Sequence, residues 1–277
     1  MEFNSYITTL TIAGSDPSGG AGIQADLKTF SALGCYGMSV ITALTAQNTQ
    51  GVTAIQAIPT SFVIQQWQTL INDITIHAMK IGMLHNAELI LALATQLADT
   101  QIPLIIDPVM TAKDGSILLE MSAISAFKQA LLPISTLLTP NIPEAEILLN
   151  QTITHKIEME EAAKSLAKMG PNAVLLKGGH LLTDELSDDC LYIKTLDTFF
   201  WFSRPRIHTK NTHGTGCTLS AAITAYLAKG YELIDAIKKA KEYLYEALLA
   251  GSHYQLGQGH GPVHHFYEIW SHEHKHT

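Results

Sequence analysis

Residues 209–220 read TKNTHGTGCTLS. Gly214 and Gly216 bracket Thr215, and Cys217 follows directly. An apolar pattern at helical spacing runs on through Leu219, Ala222, Ile223, Tyr226 and Leu227 and stops near Gly230. Glycine opens backbone conformations closed to other residues and lets the chain approach a ligand closely. A helix that starts at such a loop directs unpaired N–H groups and the positive end of its dipole at whatever lies there. That makes an anion site, and phosphate is the usual anion. Cys217 would sit in the same field, which favours thiolate over thiol. The stretch therefore predicts an oxyanion cradle beside a candidate base. A glycine-rich loop around a buried structural cysteine fits the same residues.

On either side of this stretch the pattern changes. Upstream, Cys190–Lys194 and Phe199–Pro205 read as two short strands in hairpin succession, hence antiparallel. Downstream, Leu233, Ile237, Ala240, Leu244 and Leu248 give an amphipathic final helix ending at Leu249. The histidine-rich end, GPVHHFYEIWSHEHKHT, is expected to be a flexible, solvated tail over residues 265–277.

Farther upstream one unit recurs: apolar strand, polar or glycine-rich turn, helix. Tyr6–Ala13 leads into GSDPSGGAG and then a helix through Ile23, Leu27, Phe30 and Leu33 that Gly34 closes. That loop is not a P-loop, since no Gly-Lys-Ser/Thr follows at the required spacing, and it is not G-x-G-x-x-G. Asp26 falls about one turn into this helix. Met38–Ala46 is a second strand, ending in TAQNTQG. Thr60–Ile74 reads as a helix, Ala78–Met83 as a strand, Ala87–Leu97 as a helix and Leu104–Asp107 as a strand. Ser122–Leu132 reads as a helix, and Thr136–Thr139 as a strand into PNIPEAE, where Pro143 opens a short helix carrying Glu144. Glu158–Met169 is a helix and Ala173–Leu176 a strand into KGGH. Such regular alternation predicts an α/β fold, a mostly parallel sheet covered on both faces, with the hairpin as a small antiparallel addition. No repeat, linker or low-complexity boundary divides the chain, so one domain, 1–277, is expected.

Composition narrows the function. The chain has 277 residues, 47% hydrophobic and 15% charged, enough for a sizeable core. A net charge of −8 argues against nonspecific nucleic-acid binding. Three cysteines, Cys35, Cys190 and Cys217, show no framework spacing, which suits a reduced, cytoplasmic setting. The start MEFNSYITTL lacks a basic region and a long apolar run, so no signal peptide is expected. No apolar stretch approaches the roughly 20 residues that a membrane span needs.

In a parallel sheet the strand ends share one edge, where open α/β sheets bind ligands. Gly14–Gly22, Gln47, Met83, Asp107, Asn141–Glu144, Lys177–Gly179 and Thr212–Cys217 should therefore converge. A side-chain amide such as Gln47 donates and accepts at once, which suits the edge of a heteroaromatic ring. Asp107 and Glu144 form an acid pair able to hold Mg²⁺ together with substrate phosphates. Lys177 can meet a phosphate as a point charge.

Taken in order, TIAGSDPSGGAGIQADLKTF, ITALTAQNTQGV, KIGML, DPVM, TPNIPEAEILL, LLKGGH, TKNTHGTGCTLSAA and GPVHHF span nearly the whole chain. They resemble the hydroxymethylpyrimidine/phosphomethylpyrimidine kinases of thiamine biosynthesis, members of the ribokinase-like superfamily. The resemblance implies a three-layer α/β/α sandwich, ATP with Mg²⁺, and two successive phosphorylations. The first acts on 4-amino-5-hydroxymethyl-2-methylpyrimidine and the second on its monophosphate. By position, Gly14, Asp26, Gln47, Met83 and Val109 would surround the pyrimidine. Asn141, Glu144, Lys177 and Thr212 would face ATP and its metal. The N–H groups of Gly214, Thr215, Gly216 and Cys217 would form the anion hole, with Cys217 as base. Most sugar kinases of the superfamily carry an aspartate there. Pyridoxal kinase, a thiol hydrolase pairing Cys217 with His213, and a non-catalytic pyrimidine- or nucleotide-binding sensor are the rivals. A homodimer is expected, on apolar surface enough to build one.

Overall fold

Alternate residues of a strand face opposite sides of a sheet, and in this chain both sides are apolar. Leu104 and Ile106 face one core while Ile105 faces another; Val174 and Leu176 face the first while Ala173 and Leu175 face the second. The computed structural model describes residues 4–111, 115, 118–179 and 185–270. Its strands are β1 (Thr8–Ser15), β2 (Tyr36–Asn48), β3 (Gly51–Ala57), β4 (Ala78–Ile81), β5 (Leu104–Ile106), β6 (Leu137–Leu138), β7 (Ala173–Lys177), β8 (Leu186–Ile193) and β9 (Thr198–Pro205). They form one sheet in the order β3-β2-β1-β4-β5-β6-β7-β8-β9. From β2 to β7 every pairing is parallel; β3, β8 and β9 pair antiparallel at the two edges.

The helices are α1 (Gly22–Ala32), α2 (Thr60–Ile71), α3 (Ala87–Leu97), α4 (Ile124–Ala126), α5 (Ile142–Leu149), α6 (Lys156–Ala167), α7 (Thr215–Ala228) and α8 (Leu233–Gly251). Apolar residues of α2, α3, α5 and α6 pack with Leu10, Ile12, Val40 and Ile81 on one face of the sheet. Helices α7 and α8 pack on Ile105, Leu137, Leu175 and Leu191 on the other, where Phe30 of α1 joins Ala221 and Ala225 of α7. The expected three-layer sandwich is present, and every parallel strand delivers its C-terminal end to one edge.

Three expectations need correction. The stretch Gly51–Ala57 is a strand that the reading passed over. It is an edge strand with mostly half-exposed residues, so no apolar run marks it. The helix expected over Ser122–Leu132 is broken. A 3₁₀ turn (Met121–Ala123), α4, a π turn (Phe127–Leu131) and a second 3₁₀ turn (Leu132–Ile134) follow one another. Pro133 explains the end of the run, since it lacks the N–H that a regular helix needs there. The widened π turn lets Phe127, Leu131 and Leu132 all reach the core. The free tail expected from residue 265 does not hold for its first residue. His265 is buried, its ring beside Thr218 Oγ1 at 3.1 Å and its carbonyl accepting from the Tyr243 hydroxyl at 2.6 Å. The terminal HEHKHT run lies outside the described residues, as does His180 of KGGH.

Candidate active site

At the shared strand edge the structure opens a cavity of about 690 Å³. Gly14, Gln47, Met83, Asp107, Val109, Asn141, Glu144, Lys177, Thr212, Gly214, Thr215, Gly216 and Cys217 all line it. Of the residues singled out from sequence, Asp26 alone is elsewhere. It is fully buried beneath the floor, where its carboxylate accepts from Thr11 Oγ1 at 2.6 Å and Lys80 Nζ at 2.8 Å. Its part is to hold Lys80, which does line the cavity.

Helix α7 begins as the sequence suggested. Gly214 is its N-cap at φ 76°, with no side-chain cap and no acid in the first turn. The Thr215 N–H reaches back to the Thr212 carbonyl at 3.4 Å, and no side chain of the helix's own first turn competes for the N–H groups that follow. A side chain at Gly214 would overlap the carbonyl oxygen of Gly20. Gly214→Ala is thus expected to lower stability by roughly 1–3 kcal/mol from the left-handed backbone alone, with the overlap adding to it. Urea denaturation reads this directly, and a variant within about 0.5 kcal/mol of the parent would contradict it.

The anion turn lies against Lys177 and Asp107. A Cβ placed on Gly216 would be 3.4 Å from Lys177 Nζ and 3.6 Å from Asp107 Oδ2. Asp107 follows β5, and its Oδ1 takes Lys177 Nζ at 2.8 Å. Burial works to raise the Asp107 carboxyl, but Lys177 and Lys80 outweigh it and hold it below the usual range. Burial likewise works against the Lys177 charge, and the Asp107 and Glu144 carboxylates more than restore it. Glu144 sits in the first turn of α5 within a capping box: Glu144 N–H donates to Asn141 Oδ1 at 2.9 Å, and Asn141 N–H donates to Glu144 Oε2 at 2.7 Å. Burial pushes the Glu144 carboxyl up to about 7, against the pull of Lys177 and with the push of Asp107. Two carboxylates thus share one lysine, leaving negative charge in excess.

Around Cys217 the charges differ from the sequence expectation. The helix N-terminus does not produce a thiolate. Burial pushes the thiol up to about 12, with Lys80 pulling against it and the Asp26 and Asp107 carboxylates pushing with it. His213 is not its partner, for the imidazole Nε2 meets Asp16 Oδ2 at 2.8 Å. That removes the catalytic pair a thiol hydrolase would need.

Several charged cavity residues were not singled out from the sequence, Lys80, Asp16, Asp189 and Lys241 among them. Lys80 was signalled by its place in AMKIGM, a charge in an otherwise apolar strand. Asp16 was hidden inside a glycine loop. Asp189 of β8 and Lys241 of α8 pair at 2.5 Å, and Asp189 Oδ1 accepts the Gly178 N–H at 3.1 Å. Nothing local in either sequence segment announces that pair.

Similarity to known proteins agrees with this geometry. The family model for phosphomethylpyrimidine kinase matches residues 16–264. The hydroxymethylpyrimidine/phosphomethylpyrimidine kinase of Escherichia coli is 49% identical over 266 residues, covering 95% of this chain and 99% of the relative. The crystal structure of phosphomethylpyrimidine kinase from Clostridium difficile superposes with a TM-score of 0.76 at 44% identity, covering 87% of this chain and 98% of the other. An ADP complex of Bacillus subtilis pyridoxal kinase superposes with a TM-score of 0.86 at 38% identity, covering 94% and 98%. With the match running through the glycine loop, the acid pair and the anion turn alike, the chain belongs to the phosphomethylpyrimidine kinase family.

Proposed function

We propose that the chain transfers the γ-phosphoryl group of ATP to the hydroxymethyl oxygen of 4-amino-5-hydroxymethyl-2-methylpyrimidine, and then to the resulting monophosphate. One observation carries the reading: the uncapped turn Gly214–Cys217 lies against Lys177 and Asp107 in the cavity that Gln47, Met83 and Val109 also line. Phosphoryl transfer passes through a loose transition state, so positioning and charge stabilisation dominate. The amide of Gln47 reads the polar edge of the pyrimidine, and Met83 and Val109 flank the ring. The turn N–H groups and Lys177 receive the charge on the travelling group, and Cys217 receives the alcohol proton. Asn141 and Thr212 face the nucleotide.

Mg²⁺ suits the acid pair. Among the described residues no group of three or more His, Cys, Asp or Glu forms a metal cage. Two carboxylates with surplus negative charge match an ion that takes one or two protein ligands and completes its shell with phosphates and water. Asp107 and Glu144 would hold it, and when bound it would neutralise phosphate oxygens. Glu144 is half protonated near pH 7, and a carboxylate must be ionised to bind a cation. Binding of Mg²⁺ with nucleotide is therefore expected to release protons at neutral pH and to cease doing so well above it. Calorimetry in buffers of different ionisation enthalpy measures the release. Glu144→Gln should abolish it, and a buffer-independent heat in the parent would refute the linkage.

A coupled assay of ADP release with the pyrimidine alcohol, then with its monophosphate, tests the main reading. Binding without ADP release would leave a sensor in its place. The likeness to the Bacillus subtilis pyridoxal kinase favours a second reading, in which pyridoxal is also an acceptor. Comparing kcat/KM for the two alcohols ranks the readings. A homodimer in the cytoplasm is the setting we infer, and sedimentation checks the assembly.

A further inference from the structure

The two glycine-rich loops are tied together by one buried carboxylate. Asp16 is 3% exposed. Its Oδ1 accepts the Ser18 N–H at 2.9 Å. Its Oδ2 accepts from Ser18 Oγ at 2.9 Å, Gly20 N–H at 3.2 Å and Ala21 N–H at 2.9 Å, and meets His213 Nε2 at 2.8 Å. The first four contacts shape the loop before α1. The fifth crosses 197 residues to the one that precedes the α7 N-cap.

Backbone packing reinforces the pair on both sides. A side chain on Gly20 would overlap Cδ2 of the His213 ring, and one on Gly214 would overlap the Gly20 carbonyl. The His213 N–H donates to the Gly261 carbonyl at 2.9 Å, fixing the same residue from a third segment. Helices α1 and α7 both begin without a side-chain cap. The aim of their first N–H groups is therefore left to these contacts.

We propose that Asp16 and His213 form a latch that holds the anion turn of α7 in register with the loop of α1, making both positioning residues for the transfer. The proposal rests on the kinase reading for its catalytic consequence, but its structural core does not. A purely structural pair would be replaceable by apolar residues of similar volume with little effect on chemistry. A latch would not, since misplacing a reacting group by about 1 Å can cost on the order of 10²-fold in rate.

The test uses the full chain with His213→Leu, which removes the donor, His213→Gln, which keeps an N–H, and Gly20→Ala, which displaces the ring without changing charge. Turnover is normalised to active sites by nucleotide titration. His213→Leu and Gly20→Ala are expected to lower kcat for both transfers roughly 10- to 100-fold, with both KM values within about threefold. His213→Gln should recover most of the loss. In the free protein, hydrogen exchange at residues 213 and 218, whose N–H groups donate to the Gly261 and Gly214 carbonyls at 2.9 and 2.8 Å, should quicken at least about tenfold in the two damaging variants and return in His213→Gln. Unchanged exchange there, or full turnover per active site in His213→Leu, overturns the latch. If the parent phosphorylates no pyrimidine alcohol the kinase reading falls, and the exchange measurement still decides the latch.

Discussion

Lys177→Met is expected to lower turnover in both transfers by roughly 10²- to 10³-fold, the loss seen when one preorganised charge is removed from a site where anionic charge develops. The same change should weaken the fold by about 3–5 kcal/mol, because it breaks a buried pair and leaves its partner charged. Lys177 lies 2.8 Å from Asp107 and acts on Glu144 as well, so both carboxylates lose their shared cation. Lys177 pulls both carboxyl groups down, so without it both rise, Glu144 from a value already near 7. A carboxyl raised above its unfolded value favours the protonated fold. The variant should therefore lose stability as pH climbs from the ordinary carboxyl range toward the raised folded value. Activity runs the other way, since cation binding needs both groups ionised, and the residual rate should peak at higher pH than the parent's. Rate profiles between about pH 6 and 9, with urea melts at the same points, separate the two effects. Lys177→Arg restores the charge but not the point geometry, and should recover stability more than rate. A Met variant turning over at the parent rate would remove Lys177 from the chemistry.

How much of this was legible depends on where each signal lives. The central parallel strands announced themselves as apolar runs because both their faces are covered. β3 has no such cover and went unread. The segment before Pro133 had helical periodicity, yet the proline and the demand to bury Phe127, Leu131 and Leu132 together re-wound it. Asp26 is the instructive miss. Its place one turn into α1 suggested the cavity, but it lies on the stripe with Ile23 and Phe30 that turns inward. A charge on an apolar stripe requires a buried partner, and Lys80, a charge within an apolar strand, supplies it. The two misfits together predict the pair; each alone predicts nothing. At Cys217 the local dipole was readable and the burial was not. The dipole belongs to adjacent residues, whereas the opposing carboxylates, Asp26 of α1 and Asp107 after β5, come from distant segments and act on a sulfur half-buried in the cavity wall.

That burial sharpens what replacing Cys217 should do. Cys217→Ala is expected to slow the first transfer by on the order of 10²- to 10⁴-fold, the range for a positioned base, and the second far less. The acceptor in the second transfer is a phosphate, already ionised near neutrality, so it has no proton to surrender. With its thiol pushed up to about 12, Cys217 rests protonated; at pH 7 about one molecule in 10⁵ carries the thiolate. Its neighbours still allow it to titrate: Lys80 draws the value down, and the Gly22 N–H donates to the sulfur. In a loose transition state the acceptor oxygen keeps its proton until late, so rare thiolate limits the first transfer rather than forbidding it. A base must be unprotonated to act. The first-transfer rate should therefore rise with pH and show no thiol plateau below about pH 10. Cys217→Asp places a group there that ionises more readily, and should keep part of the first transfer while flattening that limb. If alanine slows both transfers equally, Cys217 serves the phosphate cradle and not the alcohol. If alanine slows neither, the turn's backbone alone performs the work and the sulfur is a packing residue.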